Sequence, residues 1–387
     1  MAGGIKHRSL RIVSQSSSWD FLCKDYVCTK RHNQAKVAND MAYASGWLSA
    51  GAAPGFLRAP LLHFRQQHLF WAVSVVCCFV RPDALPTEAG AMCHIETSNA
   101  RRIDATLTEA VYAPDLSAQG GLIITAVPPE LDRQKNVSVR FTIDSHLGQL
   151  LYQRDSSPFA RPLVFLPLAA RADRPLHTVC FKVDYRANLC SRRLVWGPPA
   201  YPVQPLSSGQ RACYLQSSEM VDWTSEPFQA WLSSSSLRRL PEEHDILFAY
   251  RVLEAIVARG RYAVSPEMQR KPSMVCRTSV SDCGGLSLLF VAILRANGIP
   301  ARTLWGRWAI PGTRGSNPYF HVKAEFYAKG VGWVPVDPSM AVMSRCAPAH
   351  FGQDAGDFLV LHEGTDIHIT SDRFGMQRIK WLPAPLY

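Results

Sequence analysis

The stretch SVSDCGGLSLLFVAILRANGIPARTLWGRWA, residues 279–309, sets a cysteine where a polar turn meets an apolar run. Leu286, Leu289, Phe290 and Ile293 recur at helical spacing, and Leu288, Val291 and Ala292 cover much of the remaining surface. A helix apolar on most sides belongs inside a core. The pattern predicts a buried helix from Cys283 to Asn297, stopped by Gly298 with Pro300 beyond it. Ser281 or Asp282 suits the N-cap. Cys283 then lies in the first turn, where unpaired N–H groups and the positive dipole end favour a thiolate. Gly284 and Gly285 are expected to leave room for a substrate backbone. A lone cysteine at a helix start is compatible with a reactive thiol or with a capped, buried one.

Downstream residues separate the two readings. In NPYFHVKAEFY, residues 317–327, Phe320, Val322, Ala324 and Phe326 alternate with Tyr319, His321, Lys323 and Glu325, which predicts a strand with His321 on its polar face. GWVPVDPS follows from Gly332, with Trp333, Pro335 and Asp337 on one face. The link AKGVG is short enough for a hairpin. If Tyr327 pairs with Trp333, Lys323 lies opposite Asp337 and His321 is its diagonal neighbour, within side-chain reach. Cys283 as nucleophile, His321 as base and Asp337 as orienting acid make a thiol acyl-transfer constellation. Backbone N–H groups at the helix start, including that of Cys283, would hold the oxyanion. Trp305, Trp308 and Tyr319 are candidates for a substrate cleft, with core packing the alternative for at least one of the tryptophans.

Upstream, the periodicity divides the chain. Residues 96–196 read as half-buried strands: Val137, Val139, Phe141 and Ile143 alternate with polar residues, as do Val179, Phe181, Val183 and Tyr185. Strands separated by Pro- and Gly-bearing turns predict a β-sandwich-like domain. Residues 197–211, rich in proline, read as a semi-rigid linker. Residues 212–387 form the predicted catalytic domain. Within it, LPEEHDILFAYRVLEAIVARG predicts a core-facing helix with Pro241 at its first position, Glu242 and Glu243 in its first turn, and Gly260 as its stop. Ile246, Tyr250, Leu253 and Val257 mark its buried face.

Residues 1–95 form a leader region. Within residues 62–91, Arg65 precedes an apolar run from Leu69 to Val80, and Ala84, Ala89 and Ala91 follow. That order is signal-peptide-like, and the run falls short of the roughly 20 residues that span a bilayer. The expectation is export, as to a periplasm, with translation starting near Leu61; a buried apolar segment in a cytoplasmic protein is the alternative.

Composition bounds the rest. The chain has 387 residues, 47% hydrophobic and 19% charged, which excludes a wholly disordered protein. The net charge is +11, but lysine and arginine are scattered, with pairs such as Arg192-Arg193 and Arg238-Arg239 the tightest groups. No nucleic-acid partner is expected. There are eleven cysteines and no CxxC pair, so metal-ligand spacing is absent. Two of Cys180, Cys190 and Cys213 would pair in an exported protein and stay reduced in a cytosolic one. His350, His362 and His368 with Asp366 are too loosely spaced for a metal site. No cofactor is indicated, Ca²⁺ included.

The cysteine at a helix start, RANGIPAR, the strand histidine and GWVPVDPS together resemble the core of the transglutaminase-like superfamily, over about residues 275–340. FQAWLSSSSLRR, the β region and FGQDAGDFLVLHEGTDIHI are similar to a bacterial branch with an N-terminal β domain. The resemblance places the family's nucleophile, base and acid on Cys283, His321 and Asp337. It implies an α+β fold: a papain-like core with the cysteine helix packed on an antiparallel sheet, preceded by a sandwich-like domain. Ser281 stands where many members carry glycine. Val322 and Lys323 replace a small residue and a tryptophan, while Glu325 matches the usual acid. The implied activity is thiol acyl transfer on amide bonds of peptides or proteins, with hydrolysis first because water needs no dedicated acceptor site. Amine transfer giving crosslinks is the second reading, and a catalytically silent binding module the third.

Overall fold

The computed structural model describes residues 93–112, 121–143, 148–168, 178–199, 201–265, 267–309, 320–371 and 375–381. The signal-like segment at 62–91 and Tyr319 lie outside the described residues. All elements named below fall in one unit, residues 77–264 with 269–387. They comprise six helices and several antiparallel sheets, a mixed α and β architecture.

The N-terminal strands are β1 (Cys93–Tyr112), β2 (Gly121–Ala126), β3 (Gln134–Ile143), β4 (Leu151–Arg154), β5 (Pro162–Leu168) and β6 (Thr178–Trp196). The long β6 pairs antiparallel with both β1 and β3, and β5 pairs with β2 and β4. The alternation in β3 is as the sequence predicts: Val137, Val139, Phe141 and Ile143 are half-buried and the intervening residues exposed. Val183, Tyr185, Ala187 and Leu189 of β6 bury against Ile123, Leu166 and Leu168 from the other sheet.

Helices follow. Helix α1 (Ser208–Leu215) starts on a capping box in which Ser207 and Gln210 bond each other's backbone N–H groups, so regular structure begins inside the proline-rich stretch. Helix α2 (Glu226–Ser234) precedes α3 (Asp245–Arg259). Helix α3 begins four residues beyond Pro241, not on it. Leu240 and Glu243 close a turn through backbone and side-chain bonds of 3.2 and 3.0 Å, and Glu242 sits at φ 62, outside helical space. Its buried face runs through Ile246, Ala249, Val252, Leu253 and Ile256, with Tyr250 and Val257 on the flank. The expected stripe is thus rotated, and Gly260 caps the helix as expected.

The C-terminal half continues with β7 (Arg261–Tyr262), α4 (Pro272–Thr278), β8 (Val280–Ser281), α5 (Cys283–Ala296), β9 (Ala301–Trp308), β10 (Phe320–Ala328), β11 (Gly332–Val336), α6 (Pro338–Ser344), β12 (Gln353–Asp354), β13 (Phe358–Glu363), β14 (Ile367–Ser371) and β15 (Gly375–Ile379). Helix α5 buries every residue from Gly284 to Arg295. It packs on an antiparallel sheet of order β11-β10-β9-β13. Burying a side chain such as Leu, Ile or Phe contributes about 1.5–3 kcal/mol relative to leaving it exposed. Val322, Ala324 and Phe326 join the core with α5. The alternate β10 residues His321, Lys323 and Glu325 are buried too. Strand β12 pairs with β6, so one sheet draws strands from both halves of the chain.

A buried charge cluster ties those halves together. Glu325, fully buried, accepts from Arg192 of β6 at 2.8 Å and from Arg302 of β9 at 2.7 Å. Burial opposes its ionisation, but the two guanidinium groups prevail and hold its pKa low. Removing one partner of such a group strands the other charges without water. Glu325→Ala is expected to cost about 3–5 kcal/mol of stability, read as a lower urea midpoint. An unchanged midpoint would mean that this cluster does not hold the halves together.

Candidate active site

The N-cap of α5 is Asp282, whose Oδ1 accepts from Gly285 N at 3.1 Å. Its Oδ2 pairs with Arg270 Nε at 2.8 Å. Cys283 follows in the first turn, half-buried, as the sequence predicts. The glycines serve a different purpose from the one expected. A Cβ on Gly285 would lie 1.9 Å from Ser281 Oγ, and one on Gly284 3.2 Å from Trp305 Cη2. Their lack of a side chain is used by the protein's own packing, not by a substrate backbone. Trp305 is 2% exposed, and its indole N–H donates to Thr303 Oγ1 at 2.8 Å. It therefore underlies the cysteine turn from within the core.

The hairpin register is the one assumed from the sequence: Tyr327 faces Trp333 and Ala324 faces Val336. His321 Nε2 and Asp337 Oδ2 stand 2.7 Å apart. Asp337 also caps α6, its Oδ1 accepting from Met340 N and Ser339 Oγ, each at 3.0 Å. Two carboxylate oxygens are thus held by different partners, which fixes the plane that meets the imidazole. With Nε2–H donating to Asp337, Nδ1 is left with its lone pair as the available base. Burial works against ionised Asp337, but the neighbouring His321, Lys323 and Met340 N–H drive its pKa well below the ordinary carboxylate value. Trp308, half-buried, stacks on the His321 ring with centroids 4.8 Å apart. Phe358 meets the same ring edge-on.

Cys283 approaches this pair through the backbone of Val322, the residue after His321, whose N–H favours the thiolate. The sulfur makes no hydrogen bond to the imidazole among the described residues. Burial pushes the thiol pKa up, and the Asp282 carboxylate adds to it, outweighing Val322 and Arg270. The helix-tip effect anticipated from the sequence is overcome locally by the cap that creates the tip. Burial and the Asp282 carboxylate thus both favour the neutral form of the sulfur.

The unusual cation at Lys323 has partners. Its Nζ lies 3.0 Å from Asp354 Oδ2 and 4.4 Å from the Trp308 ring. Arg133, reaching from the N-terminal half, pairs with the same Asp354 oxygen at 2.7 Å. Lys323 is thereby neutralised inside the protein rather than presented to an acidic substrate. Burial raises the Asp354 pKa less than Arg133 and Lys323 lower it, and it falls to about 2.

Other sequence candidates do not converge. His350 bonds Ser344 Oγ at 3.0 Å, His362 stacks on Trp305, and Asp366 accepts from Ser218 Oγ and Met220 N. Cys190 and Cys213 carry free, buried thiols. No group of three or more metal-ligating side chains occurs among the described residues, and no helix there is long and apolar enough to cross a membrane. Tyr262 was missed by the sequence reading. Its strand β7 is two residues long, and its place beside the cysteine turn comes from a pairing that no periodicity announces.

Residues 237–338 match the family model of the Transglutaminase-like superfamily, and this segment is a transglutaminase-like core. Among solved structures, the chain is similar to a proposed cysteine protease from Cytophaga hutchinsonii, with 15% identity and a TM-score of 0.48 over 70% of this chain and 83% of that one. It is also similar to the periplasmic domain of TgpA from Pseudomonas aeruginosa, with 13% identity and a TM-score of 0.30 over 63% of this chain and 99% of that one. No curated protein matches it.

Two outcomes follow from these charges. Asp282→Asn keeps a capping side chain but removes the anion beside the sulfur. Iodoacetamide labelling of Cys283 against pH, read by mass spectrometry, is expected to rise at lower pH in this variant than in the wild type. Coincident profiles would show that Asp282 does not control the thiol. For Asp354, a folded pKa near 2 against about 3.9 unfolded means its contribution is full above about pH 5 and is lost as pH falls through 2 to about 1. Wild type is expected to lose about 2–3 kcal/mol more than Asp354→Asn over that interval, measured by urea unfolding at each pH. Parallel losses would remove Asp354 as the acid-sensitive group.

Proposed function

We propose that the transglutaminase-like core is a thiol-dependent acyl-transfer enzyme acting on amide bonds of peptides or proteins, with Cys283, His321 and Asp337 as its catalytic residues. The observation that carries this reading is the 2.7 Å contact of His321 Nε2 with Asp337 Oδ2, on the strand whose next residue touches the cysteine at the helix tip. Such a contact fixes the imidazole tautomer with Nδ1 free to act as base. The raised thiol pKa makes the base necessary: the proton leaves sulfur as the new bond forms.

The steps are then as follows. His321 Nδ1 takes the Cys283 proton while the sulfur adds to the amide carbonyl carbon. The carbonyl π electrons move to oxygen, and amide N–H groups at the start of α5 donate hydrogen bonds to the oxyanion. When the carbonyl re-forms, the C–N bond breaks and His321 returns the proton to the departing amine. Water, activated by the same nitrogen, releases the acid and regenerates the thiol. Hydrolysis is the first reading, since it needs no acceptor site. Trp308, stacked on the base, is proposed to line the cleft on the acyl side, together with Tyr319.

A general acyl donor and a protein substrate test this. Wild type treated with p-nitrophenyl acetate is expected to gain an acetyl group on Cys283, visible by peptide mass spectrometry. His321→Ala is expected to slow acetylation by about 10²–10⁴-fold. Casein is expected to yield Cys283-dependent fragments or free ammonia. Incorporation of added cadaverine into casein would instead assign amine transfer. Failure of Cys283 to acetylate faster than a free thiol such as glutathione would overturn the enzyme reading and leave a binding module.

A further inference from the structure

We infer that Tyr262 is a further catalytic residue of this site, its phenolic hydroxyl donating a hydrogen bond to the oxyanion formed when Cys283 attacks a carbonyl. The inference rests on the acyl-transfer reading.

The first observation is placement. Strand β7 runs parallel to β8, with Tyr262 aligned on Ser281, two residues before Cys283. Arg261 N donates to Ser279 O at 2.8 Å and Ala263 N to Ser281 O at 3.1 Å, so Tyr262 is clamped between two bonds to the turn that carries the nucleophile. The segment before it is fixed as well. Arg345, just after α6, donates to Val257 O at 2.7 Å and to Gly260 O at 3.0 Å. A tyrosine held this way keeps its position relative to α5.

The second observation is its surroundings. Tyr262 is 36% exposed, at a rim rather than in the core. After burial, the groups that oppose ionisation of its phenol are Cys283, Asp282 and Asp337, and Arg270 acts in the opposite sense. They come from two elements, the tip of α5 and the cap of α6. The phenol therefore lies near both the nucleophile and the acid that orients the base.

The third observation is an unused donor. A tyrosine hydroxyl at a rim is met by water until a substrate covers it, and then needs a protein or substrate partner. The Tyr262 hydroxyl has none among the described residues, and neither do the amides of Cys283 and Gly284 at the helix start. Unspent donors grouped around a nucleophile suit a charge that exists only during reaction. Burial, followed by those neighbouring negative groups, raises the Tyr262 pKa, so it keeps its proton across the pH range in which proteins work. A phenol that stays protonated is a donor at every such pH.

The chemistry is balanced as follows. On addition of sulfur to the ester carbonyl of p-nitrophenyl acetate, the carbonyl π pair becomes an oxyanion and the thiol proton moves to His321. Tyr262 donates a hydrogen bond to that oxygen without transferring its proton. On collapse, the bond to p-nitrophenolate breaks and Cys283 keeps the acetyl group.

Two reactions of the same sulfur test the role. Acetylation by p-nitrophenyl acetate passes through an oxyanion, whereas alkylation by iodoacetamide is a displacement at carbon that forms none. In Tyr262→Phe, acetylation of Cys283 is expected to slow by roughly a hundredfold, with alkylation unchanged. Tyr262→Gln, which restores an N–H donor, is expected to recover part of the loss. Equal slowing of both reactions would show that Tyr262 supports the turn or the thiol, and would overturn the inference. Unchanged acetylation would overturn it too. If wild-type Cys283 does not acetylate faster than glutathione while still being alkylated, the acyl-transfer reading itself fails and takes this inference with it.

Discussion

Burial of α5 on β10 is the constraint from which the site follows. A helix with no solvent face cannot rotate or slide without exposing Leu, Phe or Val side chains. Ser287 adds a polar pin, donating to Val322 O at 3.1 Å in the middle of that contact. The same Val322 carries the N–H that meets the Cys283 sulfur. Helix register and the position of the Cys283 sulfur are therefore one quantity. The sheet side is fixed by pairing, because a one-residue slip of β10 would turn His321 to the other face. Packing thus sets the sulfur and the imidazole independently, and neither depends on a bond between them.

The opposite side of β10 holds charges rather than apolar side chains. Glu325 is caught between Arg192 and Arg302, and Lys323 shares Asp354 with Arg133. Arg192 and Arg133 come from the N-terminal half, so each cluster is complete only when both halves are folded against each other. Ionic clusters of this kind add little net stability over apolar packing, but they penalise any arrangement that leaves one member unpaired. Lys323 also lies over the Trp308 ring that covers His321. The N-terminal half accordingly reaches His321 through Arg133, Asp354, Lys323 and Trp308.

The parts legible in the sequence are those governed by periodicity. Helix α5, its cap, the β10–β11 hairpin and the meeting of His321 with Asp337 follow from helical spacing, strand alternation and a short link. The misreadings lie where a tertiary partner overrides the local pattern. Pro241 looks like a helix start, but Glu243 turns back to Leu240 N and Arg251, and the helix waits until Asp245. Gly284 and Gly285 look like open space, yet Trp305 and Ser281 occupy it. Lys323 shows no counterion in its own stretch of sequence, because the carboxylate that meets it, Asp354, is 31 positions away. Tyr262 carries no local pattern, since a two-residue parallel strand is defined only by its partner.

The thiol's resting state connects these features. A preformed thiolate–imidazolium pair needs the ion pair to outweigh desolvation, and here burial and Asp282 favour the neutral thiol. Asp282 has a second duty: its Oδ1 caps α5 and its Oδ2 holds Arg270. Arg270 in turn lies over Trp381, which stacks on Trp305 beneath the cysteine turn. The residue that opposes ionisation is therefore the one that builds the turn. In the proposed reaction, a site arranged this way keeps the Cys283 proton until a carbonyl, the free nitrogen of His321 and donors at the helix tip act on the sulfur together. Charge then appears on the substrate oxygen rather than on the resting sulfur. Donors that lie unpaired around the turn meet that charge where it forms.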